Sequence, residues 1–251
     1  MKNKQHQELA VCGFEAVRAL AEQNPGKIQR LFFSEDRSRF FGEICRRLAA
    51  EKKLYRMVED ESELEKLCGS VHHQGVVAMI SFPEIPRLEF DALAAWRQAG
   101  EKVLVCDRVG NANNLGAIIR SAAFFGITKL VISEDDGQAQ ITTSTYRIAQ
   151  GGMEFVELYR VSSAQWLAEK TAGQAVRIGT DPRARNRLSD IRKLTDGHNM
   201  ILLFLGNEET GLSEPVKKSC DHLIRIAGSG NVESLNVAQS AAVFLYELSG
   251  L

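Results

Sequence analysis

The chain has 251 residues, 44% of them hydrophobic and 25% charged, with a formal net charge of −1. This is the balance of a globular protein with room for one large or two modest domains, and it excludes a disordered, fibrous or collagen-like chain. No apolar run reaches the ~20 residues that span a bilayer, and "MKNKQHQELAVCGF" lacks a signal-peptide core, so a cytoplasmic protein with no membrane partner is expected.

"GFEAVRALAEQ" sets Phe14, Val17, Leu20 and Ala21 at helical spacing, ahead of a break at Pro25 and Gly26. "IQRLFFS" reads as a strand. "RFFGEICRRLAAEK" returns to the helical period through Phe40, Ile44 and Leu48, with Arg46 and Arg47 pointing away. The strand "LYRMV", the helix "ESELEKLC" and the strand "GVVAMISF" complete an α/β unit of about 80 residues, a normal domain size. Pro83 and Pro86 punctuate the chain after it. We therefore divide the chain into a small α/β domain over 1–82, a linker and first helix over 83–100, and a larger domain over 101–251.

In the larger part, the helix "FDALAAWRQAG" leads into the strand "KVLVCD", followed by the near-continuous apolar strands "KLVIS", "AVRIGT", "MILLFLG" and "HLIRIA". Strands of this kind separated by helical stretches predict an open, mainly parallel sheet covered on both faces. The five cysteines are scattered, with no C-x-x-C pair, and the five histidines show no H-E-x-x-H pattern, so free buried thiols and no metal are expected. With net charge near zero, polyanion binding has to come from local clusters. One runs through Arg37, Arg39, Arg46, Arg47, Lys52, Lys53 and Arg56. The other is "DPRARNRLSDIRK", with Arg183, Arg185, Arg187, Arg192 and Lys193.

Between "KVLVCD" and the next helix, Asn111, Asn113 and Asn114 exceed what one helix cap needs, which points to a binding surface. Two later strands also end in polar, glycine-containing loops: "GNEETGL" after "MILLFLG", and "GSGNVESLNVAQ" after "HLIRIA". Three such loops at strand carboxyl ends would converge where open α/β sheets bind ligands. The G-x-G-x-x-G dinucleotide fingerprint is absent, which argues against a nicotinamide-dependent oxidoreductase.

At these residues the sequence resembles the SpoU (TrmH-like) family of RNA ribose 2′-O-methyltransferases, in the SPOUT superfamily. "NLGAIIR" matches the first family motif through Asn114, Gly116 and Arg120, "LGNEETGL" the second, and "NVESLNVAQSAA" the third, in family order. The segment ending in "HHQGVVA" resembles the family's small RNA-binding domain. The departures are "GNAN" where many members have Asp-Pro before Asn114, and Ala227 and Gly228 where Ile226 is usually followed by Pro-Met. The resemblance implies a trefoil-knotted sheet, a homodimer with a shared active site, and S-adenosylmethionine-dependent 2′-O-methylation of ribosomal or transfer RNA. It implies cofactor binding by the backbone at Gly206, Ile226 and Leu235, and a reaction site of Asn114, Arg120, Glu208, Ser234 and Asn236. Arginine stays protonated, so Arg120 reads as a phosphate clamp and hydroxyl orienter, with an RNA phosphate or water receiving the proton. Glu208 reads as a structural buttress, because its charge would repel phosphate. The alternative is a non-catalytic RNA-binding or ribosome-assembly factor on the same fold.

Overall fold

The computed structural model describes residues 8–250. Its elements, in order, are β1 (Glu8–Cys12), α1 (Phe14–Gln23), β2 (Ile28–Phe33), α2 (Gly42–Ala50), β3 (Leu54–Met57), α3 (Ser62–Cys68) and β4 (Val76–Ser81). There follow α4 (Phe90–Ala99), β5 (Lys102–Cys106), α5 (Ala112–Phe124), β6 (Lys129–Ser133), α6 (Thr143–Ala149), β7 (Glu157–Val161) and α7 (Ala164–Lys170). The chain ends with β8 (Val176–Thr180), β9 (Asn186–Arg187), α8 (Ile191–Thr195), β10 (Ile201–Leu205), α9 (Glu214–Ser219), β11 (His222–Arg225) and α10 (Val237–Ser249).

Two compact units result. Among the described residues, the first takes in the chain from Glu8 to Glu84 together with Ile141–Phe155, and the second takes in the rest. The first is built on a four-stranded sheet of order β1-β4-β2-β3, whose β1/β4 and β4/β2 pairs are antiparallel and whose β2/β3 pair is parallel. One of its faces buries Cys12, Phe32, Leu64, Cys68, Val77 and Met79. Helix α6, capped by Thr142, joins this unit by packing against β1, and Glu154 beyond it accepts hydrogen bonds from Asn24 Nδ2 at 2.7 Å and Lys27 Nζ at 3.0 Å. Gly151 makes the approach possible: it sits at φ +92°, and a Cβ there would lie 2.7 Å from Ala19 Cβ.

The second unit carries a seven-stranded sheet of order β7-β6-β5-β10-β8-β11-β9 in which every pair is parallel. Its central strand β10, "ILLFL", is buried along its whole length, as a strand covered on both faces must be. Helix α5 buries Leu115, Ile118, Ile119 and Ala122, and α10 buries Val237, Ala241, Phe244, Leu245 and Leu248. Both sets follow the helical period and the two helices pack together. Each large apolar side chain so buried contributes roughly 1.5–3 kcal/mol.

β1, α6, β7 and the two-residue β9 are elements that the sequence pattern does not announce. β1 lies in a segment read as a polar terminus, β7 exposes Glu157 and Arg160, and β9 is too short to show a period. Each is held by a partner distant in sequence, as where Glu8–Cys12 pairs with β4.

Candidate active site

The three polar loops leave the carboxyl ends of β5, β10 and β11. After β10 the chain must turn at once, and Gly206 permits it: a Cβ there would meet Leu212 N at 2.2 Å and Gly211 C at 2.3 Å. Asn207 then closes the loop. Its backbone exchanges hydrogen bonds with Gly211, its Oδ1 accepts the N–H groups of Glu209 and Thr210 at 3.0 and 3.1 Å, and its Nδ2 donates to Arg108 O at 2.9 Å. Glu209 and Thr210 shape this turn with their backbone.

Glu208 leaves that loop towards the start of α5. Its Oε2 accepts from Gly110 N at 3.0 Å, and its Oε1 accepts from Asn111 N at 3.2 Å and Asn114 Nδ2 at 2.8 Å. A carboxylate is the right group there, since the positive end of a helix and its unpaired N–H groups favour an anion. Burial alone would push the Glu208 carboxyl up, but hydrogen bonds from Asn114 and from backbone N–H groups outweigh it and hold it below the usual range.

Asn114 then reaches the third loop, its Oδ1 accepting from Asn236 Nδ2 at 3.1 Å. Asn236 also caps α10, with Oδ1 accepting from Ala238 N at 2.9 Å. The cap of α5 is Asn111, whose Oδ1 accepts from Asn113 N at 2.8 Å, which leaves Asn114 for the bridge. Glu208, Asn114 and Asn236 thus join the three loops in one chain of hydrogen bonds.

Beside this junction lies a cleft of about 760 Å³ lined by Gly206, Glu208, Ile226, Ser234 and Leu235 among others. Ser234 is exposed and, among the described residues, makes no hydrogen bond. Arg120 stands apart: it is exposed on α5 and, among the described residues, makes neither a hydrogen bond nor an ion pair. No group of three or more His, Cys, Asp or Glu able to hold a metal occurs among the described residues, nor does any helix long and apolar enough to cross a membrane.

Two supports escape the sequence reading. Asp107 is buried at the end of β5, where its Oδ2 accepts from Ser213 N at 2.7 Å and pins the far side of the β10 loop. Gln138 brackets Val109, accepting from its N–H and donating to its carbonyl, both at 3.1 Å. Asp107 had a signal, a carboxylate ending the apolar run "KVLVCD"; Gln138 had none.

The model of the SpoU rRNA methylase family matches residues 101–246, and that of the RNA 2′-O-ribose methyltransferase substrate-binding domain matches residues 10–86. The chain belongs to the SpoU family. By class, this SpoU protein is an RNA ribose 2′-O-methyltransferase. It is 32% identical over 238 residues, 94% of both chains, to the 23S rRNA (guanosine-2′-O-)-methyltransferase RlmB of Acinetobacter baylyi. Its fold is that of solved SpoU structures. The rRNA methyltransferase of Sinorhizobium meliloti, solved with AdoMet bound, superposes with a TM-score of 0.76 at 21% identity, over 96% of this chain and 86% of that one. AviRb of Streptomyces viridochromogenes, also solved with AdoMet, gives 0.72 at 24% identity, over 97% and 90%.

Proposed function

We propose that this SpoU protein methylates the 2′-oxygen of a guanosine ribose in 23S ribosomal RNA, using S-adenosylmethionine as donor. The observation that carries the reading is the Glu208–Asn114–Asn236 bridge, which joins three loops beside one cleft. The choice of RNA rests on likeness to RlmB over nearly the whole of both chains.

The cleft suits the cofactor. About 760 Å³ falls within the usual range for a small-molecule site. Over residues 227–235 the hydrogen bond present is Asn231 N to Ser229 Oγ, so the other backbone donors and acceptors are available to a ligand. Gly228 and Gly230 have no atom within 4 Å of where a Cβ would stand, which leaves room for close approach. Gly206, Ile226 and Leu235 hold the cofactor through their backbone. S-adenosylmethionine supplies a methyl group already activated on a sulfonium.

What remains for the chain is positioning and charge. Glu208, which accepts hydrogen bonds from Gly110 N, Asn111 N, Asn114 Nδ2 and Asn207 Nδ2, is a buttress and not a base. Asn114 and Asn236 set the loop geometry, and Ser234 offers its free hydroxyl to the ligands. Arg120 orients the ribose hydroxyl and clamps the adjoining phosphate, and the hydroxyl proton passes to that phosphate or to water. A planar guanidinium is suited to such a fork.

A second copy of the chain completes the site. Phe124 is 82% exposed, and Tyr246 of α10 is 65% exposed. Arg120 lies one helical turn before Phe124 on α5, so a copy covering that face also meets Arg120. The trefoil knot, threaded by the chain after Asn236, belongs to the same reading, as does delivery of RNA by residues 1–82. The test is tritiated-methyl transfer to RNA from a strain lacking the protein, followed by mapping of ribose methylation in 23S RNA. Transfer to a guanosine of 23S RNA is expected; wild type that transfers to no RNA sinks the proposal.

A further inference from the structure

Part of the second basic cluster has no role in the chemistry above. Arg183 and Arg187 line one side of the cleft, together with Arg225 of β11. Arg187 and Arg225 are register partners on adjacent parallel strands, so both side chains leave the same face of the sheet. Like charges placed directly opposite each other destabilise a sheet. Among the described residues none of the three arginines makes an ion pair, and the Arg225 Nε is shut off from solvent with no hydrogen-bond partner.

Other cations here are paired. Lys217, which lines the same cleft, meets Asp181 at 3.2 Å and Glu214 at 3.1 Å, and Arg177 of β8 meets Asp221 at 2.5 Å. The acids of the cleft are engaged elsewhere or bare. Asp181 holds Lys217 and the Arg183 N–H, Glu208 holds the start of α5, and Glu209 and Glu233 are exposed without an ion pair to the three arginines. A charged edge strand that repels strand addition would explain Arg187 on β9. It does not explain Arg225, because β11 is flanked by β8 and β9.

We propose that Arg183, Arg187 and Arg225 form a phosphate subsite that holds the RNA backbone at the rim of the cofactor cleft, a proposal that rests on the methyl-transfer reading above. The ligand chemistry follows from charge. S-adenosylmethionine carries one carboxylate against an ammonium and a sulfonium, so it is a net cation. A group of three arginines sharing a cleft with a net cation needs a further anion, and an RNA strand brings one phosphate per nucleotide. Arginine forks match phosphate oxygens in pairs.

The experiment measures binding of the full chain to a 23S rRNA transcript across a potassium chloride series, and binding of S-adenosylhomocysteine by calorimetry. The variants are Arg183→Gln, Arg187→Gln, Arg225→Gln, and Arg192→Gln as a control from the same sequence cluster outside the cleft. Each subsite variant should weaken RNA binding several-fold and lower the salt slope by about one unit. S-adenosylhomocysteine affinity should stay within about twofold, and Arg192→Gln should behave as wild type. Arg183 and Arg187 are exposed, so their variants keep the test valid if Arg225→Gln fails to fold. RNA binding unchanged in the Arg183 and Arg187 variants overturns the subsite alone. An equal loss in Arg192→Gln also overturns it, since the effect would then be a diffuse field. Lost S-adenosylhomocysteine binding with RNA binding intact would assign the arginines to the cofactor carboxylate. Wild type that binds S-adenosylhomocysteine but no RNA overturns the methyl-transfer reading, and the subsite with it.

Discussion

The loop after β10 and the loop after β11 face the same cleft and are built in opposite ways. The first is closed on itself by Asn207, tied to α5 by Glu208 and pinned by Asp107, so little of its polarity is left for a ligand. The second runs over residues 227–235 with a single internal hydrogen bond. A wall made of satisfied groups holds its shape before anything binds. A wall of solvent-exposed backbone groups that the chain itself leaves unpaired can exchange water for what binds. A site that must place a small ligand accurately and then release it benefits from one of each.

The most damaging way to break the contrast is Gly206→Ala. The new Cβ would fall 2.2 Å from Leu212 N, a backbone atom that cannot rotate aside. We expect a loss of more than about 3 kcal/mol, at the upper end for overpacking, together with loss of S-adenosylhomocysteine binding. Chemical denaturation and calorimetry read both. Unaltered stability would mean that this loop is far softer than its hydrogen bonds imply.

Arg120→Ala acts on neither loop. Exposed and unpaired, Arg120 can be lost without cost to the fold. Methyl transfer should fall about 100-fold or more with S-adenosylhomocysteine affinity unchanged, as for a contact made in the transition state. Arg120→Lys should recover little of that loss. A tritium-transfer assay in which Arg120→Ala equals wild type would remove Arg120 from the site.

Glu208→Gln sharpens the contrast through pH. With its oxygen kept towards Asn111 and Asn114, the amide turns its NH2 towards Gly110 N, leaving that N–H unsatisfied at a cost of about 1–3 kcal/mol. The Glu208 carboxyl is held below its ordinary value, so its stabilisation is fully present above the unfolded value near about 4.3. It is lost as pH falls through the folded value. The stability gap between wild type and variant should therefore be flat from pH 6 to 8 and shrink in acid below about pH 4. Urea titrations at several pH values would show it; a gap that grows in acid would contradict the charged buttress.

Ser234→Ala is the mildest test. Ser234 lies in the bare loop with no hydrogen bond, so stability should change by less than about 0.5 kcal/mol. Methyl transfer should drop about tenfold, the worth of one hydrogen bond to a ligand. A thermal shift larger than a few degrees would show that the loop is braced by its own side chains after all.

Local pattern alone sufficed for much of the protein. The apolar runs "KVLVC" and "ILLFL" announce buried parallel strands because such strands must be apolar on both faces. The glycine- and asparagine-rich loops are legible because turning at a strand end needs those residues. What local pattern cannot carry is partnership across the chain. Asn114 and Glu208 are separated by 94 positions, and Asn114 and Asn236 by 122, so no spacing rule tells a bridging asparagine from the capping Asn111 three residues earlier. The same holds for Arg183, Arg187 and Arg225, which the register of β9 against β11 gathers at one cleft while Arg192 of the same basic run stays outside it. Periodicity reports which face of an element is buried; hydrogen bonds and charge pairs between distant elements exist only once the sheet order has set them side by side.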